Sequence, residues 1–125
     1  MILGIGIDLQ EIGDFRRSLE RGGEGYRARV FTPREIEYCQ DQADPYQSFT
    51  ARFAAKEAAI KALRFGGREG ITWHDFEVIS EPDGRPNLAL NGRAKEDAAS
   101  LGLRNLQLSL SHSRHIATAI VVAEG

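Results

Sequence analysis

The chain opens on ILGIGIDL, where Ile5, Ile7 and Leu9 alternate with Gly4, Gly6 and Asp8. Alternation at every second position predicts a strand. One side of it is apolar; the other is bare backbone until Asp8. In QEIGDFRRSLER, Ile12, Phe15 and Leu19 recur at helical spacing and Gly22-Gly23 supplies a stop. FTPREIEYC places Thr32, Pro33 and Glu35 as N-cap, first-turn proline and reciprocal cap, so a short helix begins there. DQADPYQ reads as a loop. FTARFAAKEAAIKAL, residues 49 to 63, is the longest predicted helix, stopped by Gly66-Gly67.

The second half changes period. WHDFEVIS and NLALN read as strands joined by the turn EPDGRP, GRAKEDAASLG as a helix ending at Gly102, and NLQLSLSH and HIATAIVVA as a final hairpin. Short turns between strand pairs favour antiparallel pairing, so the fold class is α+β: a mostly antiparallel sheet with helices packed on it, in a single domain spanning residues 1–125.

The long helix is unusual. On a helical wheel Phe49, Phe53, Ile60 and Leu63 share one side and Ala54, Ala55, Ala58, Ala59 and Ala62 another. They leave a narrow polar strip holding Glu57, Lys61 and Arg64. A solvated helix shows a broader polar face. Glu57 and Lys61 fit either an i,i+4 surface ion pair or groups presented by a buried scaffold. Asp8 has two readings as well. Asp8-Leu9-Gln10-Glu11 resembles a capping box for the next helix. That leaves Gly4 and Gly6 unexplained, because glycine weakens a strand unless something approaches its backbone closely.

Composition narrows the function. Apolar residues make up 42% and charged residues 27%, and the net charge is −2 with a pI near 5.9, which argues against nucleic acid as the main partner. Cys39 is the sole cysteine, so neither an internal disulfide nor a thiolate metal cluster is available. The N-terminus lacks the basic region of a signal peptide and no apolar run is long enough to span a bilayer, which points to a cytoplasmic protein without a membrane role.

The glycines of GIGID lack the third member of a dinucleotide fingerprint, and the acid would repel a pyrophosphate. A divalent metal between them reverses that objection. Asp8 and Glu57 are hard oxygen ligands of the kind Mg²⁺ uses when substrate phosphates complete its shell, and lysines stabilise charge on a transferring or leaving phosphate. His112, in SLSHSRH, is either an edge residue or part of an anion site. Gly84, Arg85 and Pro86 read first as a turn. Arg16, Arg17 and Arg21 read as a solvated helix face that can also hold an acidic partner.

Taken together, GIGIDLQEI, FTPREIEYC, RFAAKEAAIKAL, DGRP and LSLSHS, in this order over nearly the whole chain, resemble the holo-acyl-carrier-protein synthases, the small 4′-phosphopantetheinyl transferases. The resemblance implies transfer of the 4′-phosphopantetheine arm of coenzyme A to a serine of an acyl carrier protein, with adenosine 3′,5′-bisphosphate as the other product. It implies Asp8 and Glu57 as Mg²⁺ ligands and Lys61 beside the transferred phosphate. Arg52, Lys56, His112 and the Gly84–Arg85–Pro86 turn are implied to line the coenzyme A pocket. The serine proton goes to Glu57 or to a metal-bound water. The family is typically a homotrimer with active sites between subunits, so His112 and Glu57 of one site belong to different chains. Relatives carry a basic residue for docking the acidic carrier in the first turns after GxGxD. Here Gly13-Asp14 stands there, and the basic residues are Arg16, Arg17 and Arg21. The rival readings are a binding module that holds coenzyme A or a carrier without turnover, and a metal-dependent phosphohydrolase.

Overall fold

The computed structural model describes residues 1–65 and 70–125, so the expected Gly66-Gly67 helix stop lies outside the described residues. Strand β1 (Ile2–Glu11) leads into helix α1 (Ile12–Val30), followed by α2 (Pro33–Gln40) and α3 (Pro45–Leu63). A 3₁₀ turn (Trp73–Asp75) precedes the hairpin β2 (Phe76–Ser80) and β3 (Pro86–Leu90). Helix α4 (Gly92–Ser100) then connects to β4 (Asn105–His112) and β5 (Ile116–Glu124). The class is α+β, and every strand pairing among the described residues is antiparallel. The strands form two sheets rather than one, ordered β1-β5-β4 and β2-β3.

Local sequence explains most boundaries. Thr32 and Glu35 form the reciprocal capping box expected at α2. Helix α3 begins four residues earlier than the apolar pattern suggests, because Asp44 caps it by accepting from the Gln47 amide and Pro45 fills the first turn. It ends at Leu63, with Arg64 left-handed at φ 58°. Gly23, at φ 64°, breaks α1 where a stop was expected, and a second helical stretch resumes behind it.

Two expectations fail. Trp73–Asp75 is 3₁₀ rather than strand. The capping box at Asp8 does not form: Gln10 and Glu11 stay in β1, the helix cap is Glu11 without a side-chain bond, and Asp8 points off the strand. Nine ladder positions against β5 outweigh a local cap worth about 1 kcal/mol.

The element that positions the site is α3, seated on the β1-β5-β4 sheet. Its Ala54, Ala55, Ala58, Ala59 and Ala62 are buried against Ala119, Val121 and Ala123 of β5. Gly4 and Gly6 permit this approach: a Cβ on Gly6 would lie 1.8 Å from the Ala58 carbonyl oxygen, and one on Gly4 1.9 Å from that of Ala62. The partner for which β1 keeps a bare side is thus the helix backbone itself. A second core of Phe15, Leu19, Val30, Phe31, Cys39 and Phe49 ties α1 and α2 to the start of α3, with Phe15 stacked on Phe53 at 4.6 Å. The outer side of the sheet is bare: Ile5, Ile7 and Leu9 are 58%, 63% and 61% exposed, and Ile120 is 40% exposed. None of the described helices is long and apolar enough to cross a membrane.

Candidate active site

Because α3 lies on the glycine side of β1, its strip of charged residues meets Asp8, the next residue on that side after Gly4 and Gly6. Lys61 Nζ stands 3.0 Å from Asp8 Oδ1 and donates also to the Ile7 carbonyl at 3.1 Å. Lys61 thus reaches across to the strand. Asp8 Oδ2 accepts from the Gln10 side-chain amide at 2.7 Å, and the Asp8 backbone carbonyl accepts from the Thr118 hydroxyl. Asp8 is nearly buried, Glu57 half-buried and Lys61 exposed.

Glu57 faces the same place. Burial pushes its carboxyl above the ordinary range, the negative charge of Asp8 pushes it further, and Lys61 opposes the shift. The Lys61 ammonium already rests on Asp8, so positive charge is drawn to this place. Among the described residues no third acid, histidine or cysteine joins Asp8 and Glu57. The donor set therefore suits a hard cation that draws its remaining ligands from phosphate oxygens and water.

A pH dependence follows. A folded-state pKa raised above its unfolded value means the fold holds that proton more tightly than the unfolded chain does. The contribution of Glu57 to metal-free stability is therefore present below the unfolded pKa and lost as pH rises through the folded one. A divalent cation competes with the same proton. Mn²⁺ affinity, read by electron paramagnetic resonance of the free ion, should start falling on acidification at a pH above the ordinary carboxylate range. Glu57→Gln should remove that step.

Around the other flank of α3 a cavity of about 690 Å³ opens between α2, α3, the β2–β3 turn and β4. Gly84, Arg85, Pro86 and His112 line it together with Arg52 and Tyr38. Arg52 is only 5% exposed. It donates to the Ser48 hydroxyl at 3.1 Å and the Ser80 hydroxyl at 2.7 Å, and its guanidinium lies 4.1 Å from the Tyr38 ring centroid. Its Nε finds no partner, and no carboxylate among the described residues pairs with it. A buried cation held by neutral groups alone is costly unless an anion arrives. His112 Nδ1 lies 3.1 Å from the Gln47 amide nitrogen at the rim, and Arg85 is held against Asp83.

Asp8, Glu57 and Lys61 do not line this cavity. Within one chain the expected site residues fall into two groups on different flanks of α3. Lys56 belongs to neither, which corrects the expectation that it faces the coenzyme: it is fully buried and bonds inward to Glu35 and two carbonyls. On α1, Arg16 pairs with Glu20 and lies over Tyr46, and Arg17 pairs with Asp14, so the basic face is partly neutralised from within. The sequence reading missed Gln10, Tyr38, Ser48 and Ser80. Gln10 sits two residues beyond Asp8 on one strand face, a relation visible only once β1 is extended past Leu9.

The family model described as the 4′-phosphopantetheinyl transferase superfamily matches residues 4–120. The chain is 49% identical over 124 residues, 99% of each chain, to the holo-[acyl-carrier-protein] synthase of Koribacter versatilis. It is 47% identical, over 99% of this chain and 98% of the other, to that of Geobacter sulfurreducens. Among solved structures, the synthase of Neisseria meningitidis superposes over 100% of both chains with a TM-score of 0.91 at 28% identity. That of Helicobacter pylori in complex with coenzyme A superposes with a TM-score of 0.83 at 30% identity, covering 96% of this chain and 99% of the other. With the family model matching residues 4–120 and a relative 49% identical over 99% of each chain, the protein belongs to the 4′-phosphopantetheinyl transferase superfamily.

Proposed function

We propose that this chain, acting as one domain in the cytoplasm, transfers 4′-phosphopantetheine from coenzyme A to a serine of an apo acyl carrier protein. The observation that carries the reading is the Lys61–Asp8 ion pair across the β1–α3 contact, with Glu57 one turn before Lys61 on the same helix. Asp8 and Glu57 would hold Mg²⁺. The ion, when bound, neutralises the pyrophosphate of coenzyme A, which would otherwise repel an attacking hydroxyl. Lys61, freed from Asp8, reaches the phosphate that departs. Glu57, whose surroundings raise its proton affinity, receives the serine proton. The serine oxygen bonds to the phosphorus bearing the pantetheine arm. The bond from that phosphorus to the bridging oxygen breaks, and adenosine 3′,5′-bisphosphate leaves. Arg52, supported by Tyr38, and His112 bind phosphate in the cavity, with the Gly84–Pro86 turn as its wall.

The two groups of residues lie apart in one chain, and the outer sheet face is apolar. Both features support a homotrimer in which the cavity of one chain opens beside the carboxylates of its neighbour. Each large aliphatic side chain covered contributes about 1.5–3 kcal/mol. Ile7→Asp should therefore give monomers by light scattering and lose most transfer, while circular dichroism stays that of a folded chain.

Transfer is tested by incubating the enzyme with coenzyme A, Mg²⁺ and candidate carriers and reading the mass of each carrier. A gain of one phosphopantetheine is expected. Release of free phosphopantetheine without any carrier would favour a phosphohydrolase, and coenzyme binding without a mass gain a binding module. Arg16, Arg17 and Arg21 offer a docking face for an acidic carrier. Arg17→Glu with Arg21→Glu should raise KM for the carrier several-fold more than KM for coenzyme A. Equal changes would remove α1 from docking.

A further inference from the structure

Helix α3 has a mechanical problem. The face it turns to the sheet is alanine against glycine and alanine, which permits close approach but offers few large side chains to interlock. Glu57 and Arg52 point off different flanks of this helix, and both require a fixed orientation. Among the directional contacts of α3, one ion pair is fully buried and fixes the helix at its middle. Lys56 and Glu35 are both fully buried, and Lys56 Nζ donates to Glu35 Oε1 at 2.7 Å, to the Phe76 carbonyl at 2.6 Å and to the Trp73 carbonyl at 3.1 Å. All three ammonium protons are used. Glu35 accepts in addition from the backbone amides of Thr32 and Val78, each at 2.9 Å. One ion pair therefore joins the start of α2, the middle of α3, the 3₁₀ turn and β2.

Its neighbours along each helix are the site. Glu57 directly follows Lys56, and Lys61 comes one turn and a residue later. Arg52 precedes Lys56 by one turn, and Tyr38 follows Glu35 by nearly one turn. The same registration of α2 on α3 that joins Glu35 to Lys56 thus brings the Tyr38 ring under the Arg52 guanidinium. Resting on the functional reading above, we propose that Lys56, through Glu35, is a positioning residue that sets the axial and rotational register of α3, and so aligns the carboxylate pair and the phosphate-binding arginine together. Burying two charges for stability alone is a poor exchange, since apolar replacements of similar volume are often as stable. Fixing one register is what the pair contributes.

The test separates register from stability. Lys56→Met alone strands a buried carboxylate and should lower the melting temperature. Glu35→Gln/Lys56→Met removes both charges but keeps a single acceptor oxygen, whereas Glu35 Oε1 and Oε2 take the amides of Thr32 and Val78 separately. It should melt above Lys56→Met alone, and its binding is read at a temperature where it is folded. Coenzyme A affinity by calorimetry and Mn²⁺ affinity by electron paramagnetic resonance should nevertheless both weaken in the double variant by about 10- to 100-fold, as for lost outer-shell support of a metal ligand. A folded double variant that binds both ligands like the wild type, or loses only one of them, overturns the proposal. Should neither neutral variant fold, Lys56→Arg keeps the charge and changes the reach. Joint weakening of both ligands in it supports the register role, and unchanged binding refutes it. Wild-type binding and transfer, read in the same series, report separately on the functional reading.

Discussion

Asp8→Ala and Glu57→Ala should each reduce carrier modification by about three orders of magnitude, equivalent to roughly 4 kcal/mol of transition-state stabilisation. Neither should unfold the chain. Asp8 gives up an ion pair with Lys61, whose side chain is 53% exposed, and such pairs contribute little to stability. Glu57 gives up a carboxyl that its surroundings push toward protonation, so its removal relieves strain between like charges. The loss should fall on kcat, because both variants leave intact the cavity on the other flank of α3 that is proposed to bind coenzyme A. Mass spectrometry of the carrier over a time course reads the rate, and circular dichroism the fold. Modification within a few-fold of wild type by either variant would remove the carboxylates from the chemistry.

Gly6→Ala should do what the carboxylate variants do not: damage site and fold together. The added methyl would sit 1.8 Å from the Ala58 carbonyl oxygen, which is backbone and cannot swing aside. Helix α3 must lift from β1, and overpacking of this kind costs about 1–3 kcal/mol or more. In a domain of this size each kcal/mol lowers the melting temperature by about 2–8 °C. Lifting α3 also separates Glu57 from Asp8, so transfer should fall well below what the lost stability accounts for. Thermal melts and transfer rates at a temperature where the variant is folded read the two effects. A variant as stable and active as wild type would mean that the contact of helix on strand is not what assembles the site.

Much of this was legible in the chain itself, and the failures have physical causes. Strand alternation in GIGID and the alanine-rich helix identify the two elements that meet, and the resemblance implies Asp8, Glu57 and Lys61 as the reagents they carry. The glycines could be read as marking a close approach, but not as marking a helix backbone, since that partner lies some fifty residues away. Asp8 looks like a helix cap because its local pattern fits one, and pairing along β5 prevails. Lys56 was assigned to the coenzyme because a helical wheel shows which residues share a flank and not what covers it. Glu35 carried a clear capping signal that hid its second role, as the carboxylate that buries Lys56. Arg52 lines the cavity beside the Gly84–Pro86 turn and His112. Its supports, Tyr38, Ser48 and Ser80, come from three different elements and leave no common sequence signal.

The central claim is that Asp8 and Glu57 grip one divalent cation. Crystals grown with Mn²⁺ and coenzyme A, measured at the manganese absorption edge, address it directly through the anomalous signal. The account predicts a single peak within about 2.0–2.4 Å of a carboxylate oxygen of each residue, in hard-cation geometry. A peak bound to only one of them, or no peak at saturating metal and coenzyme, would contradict it.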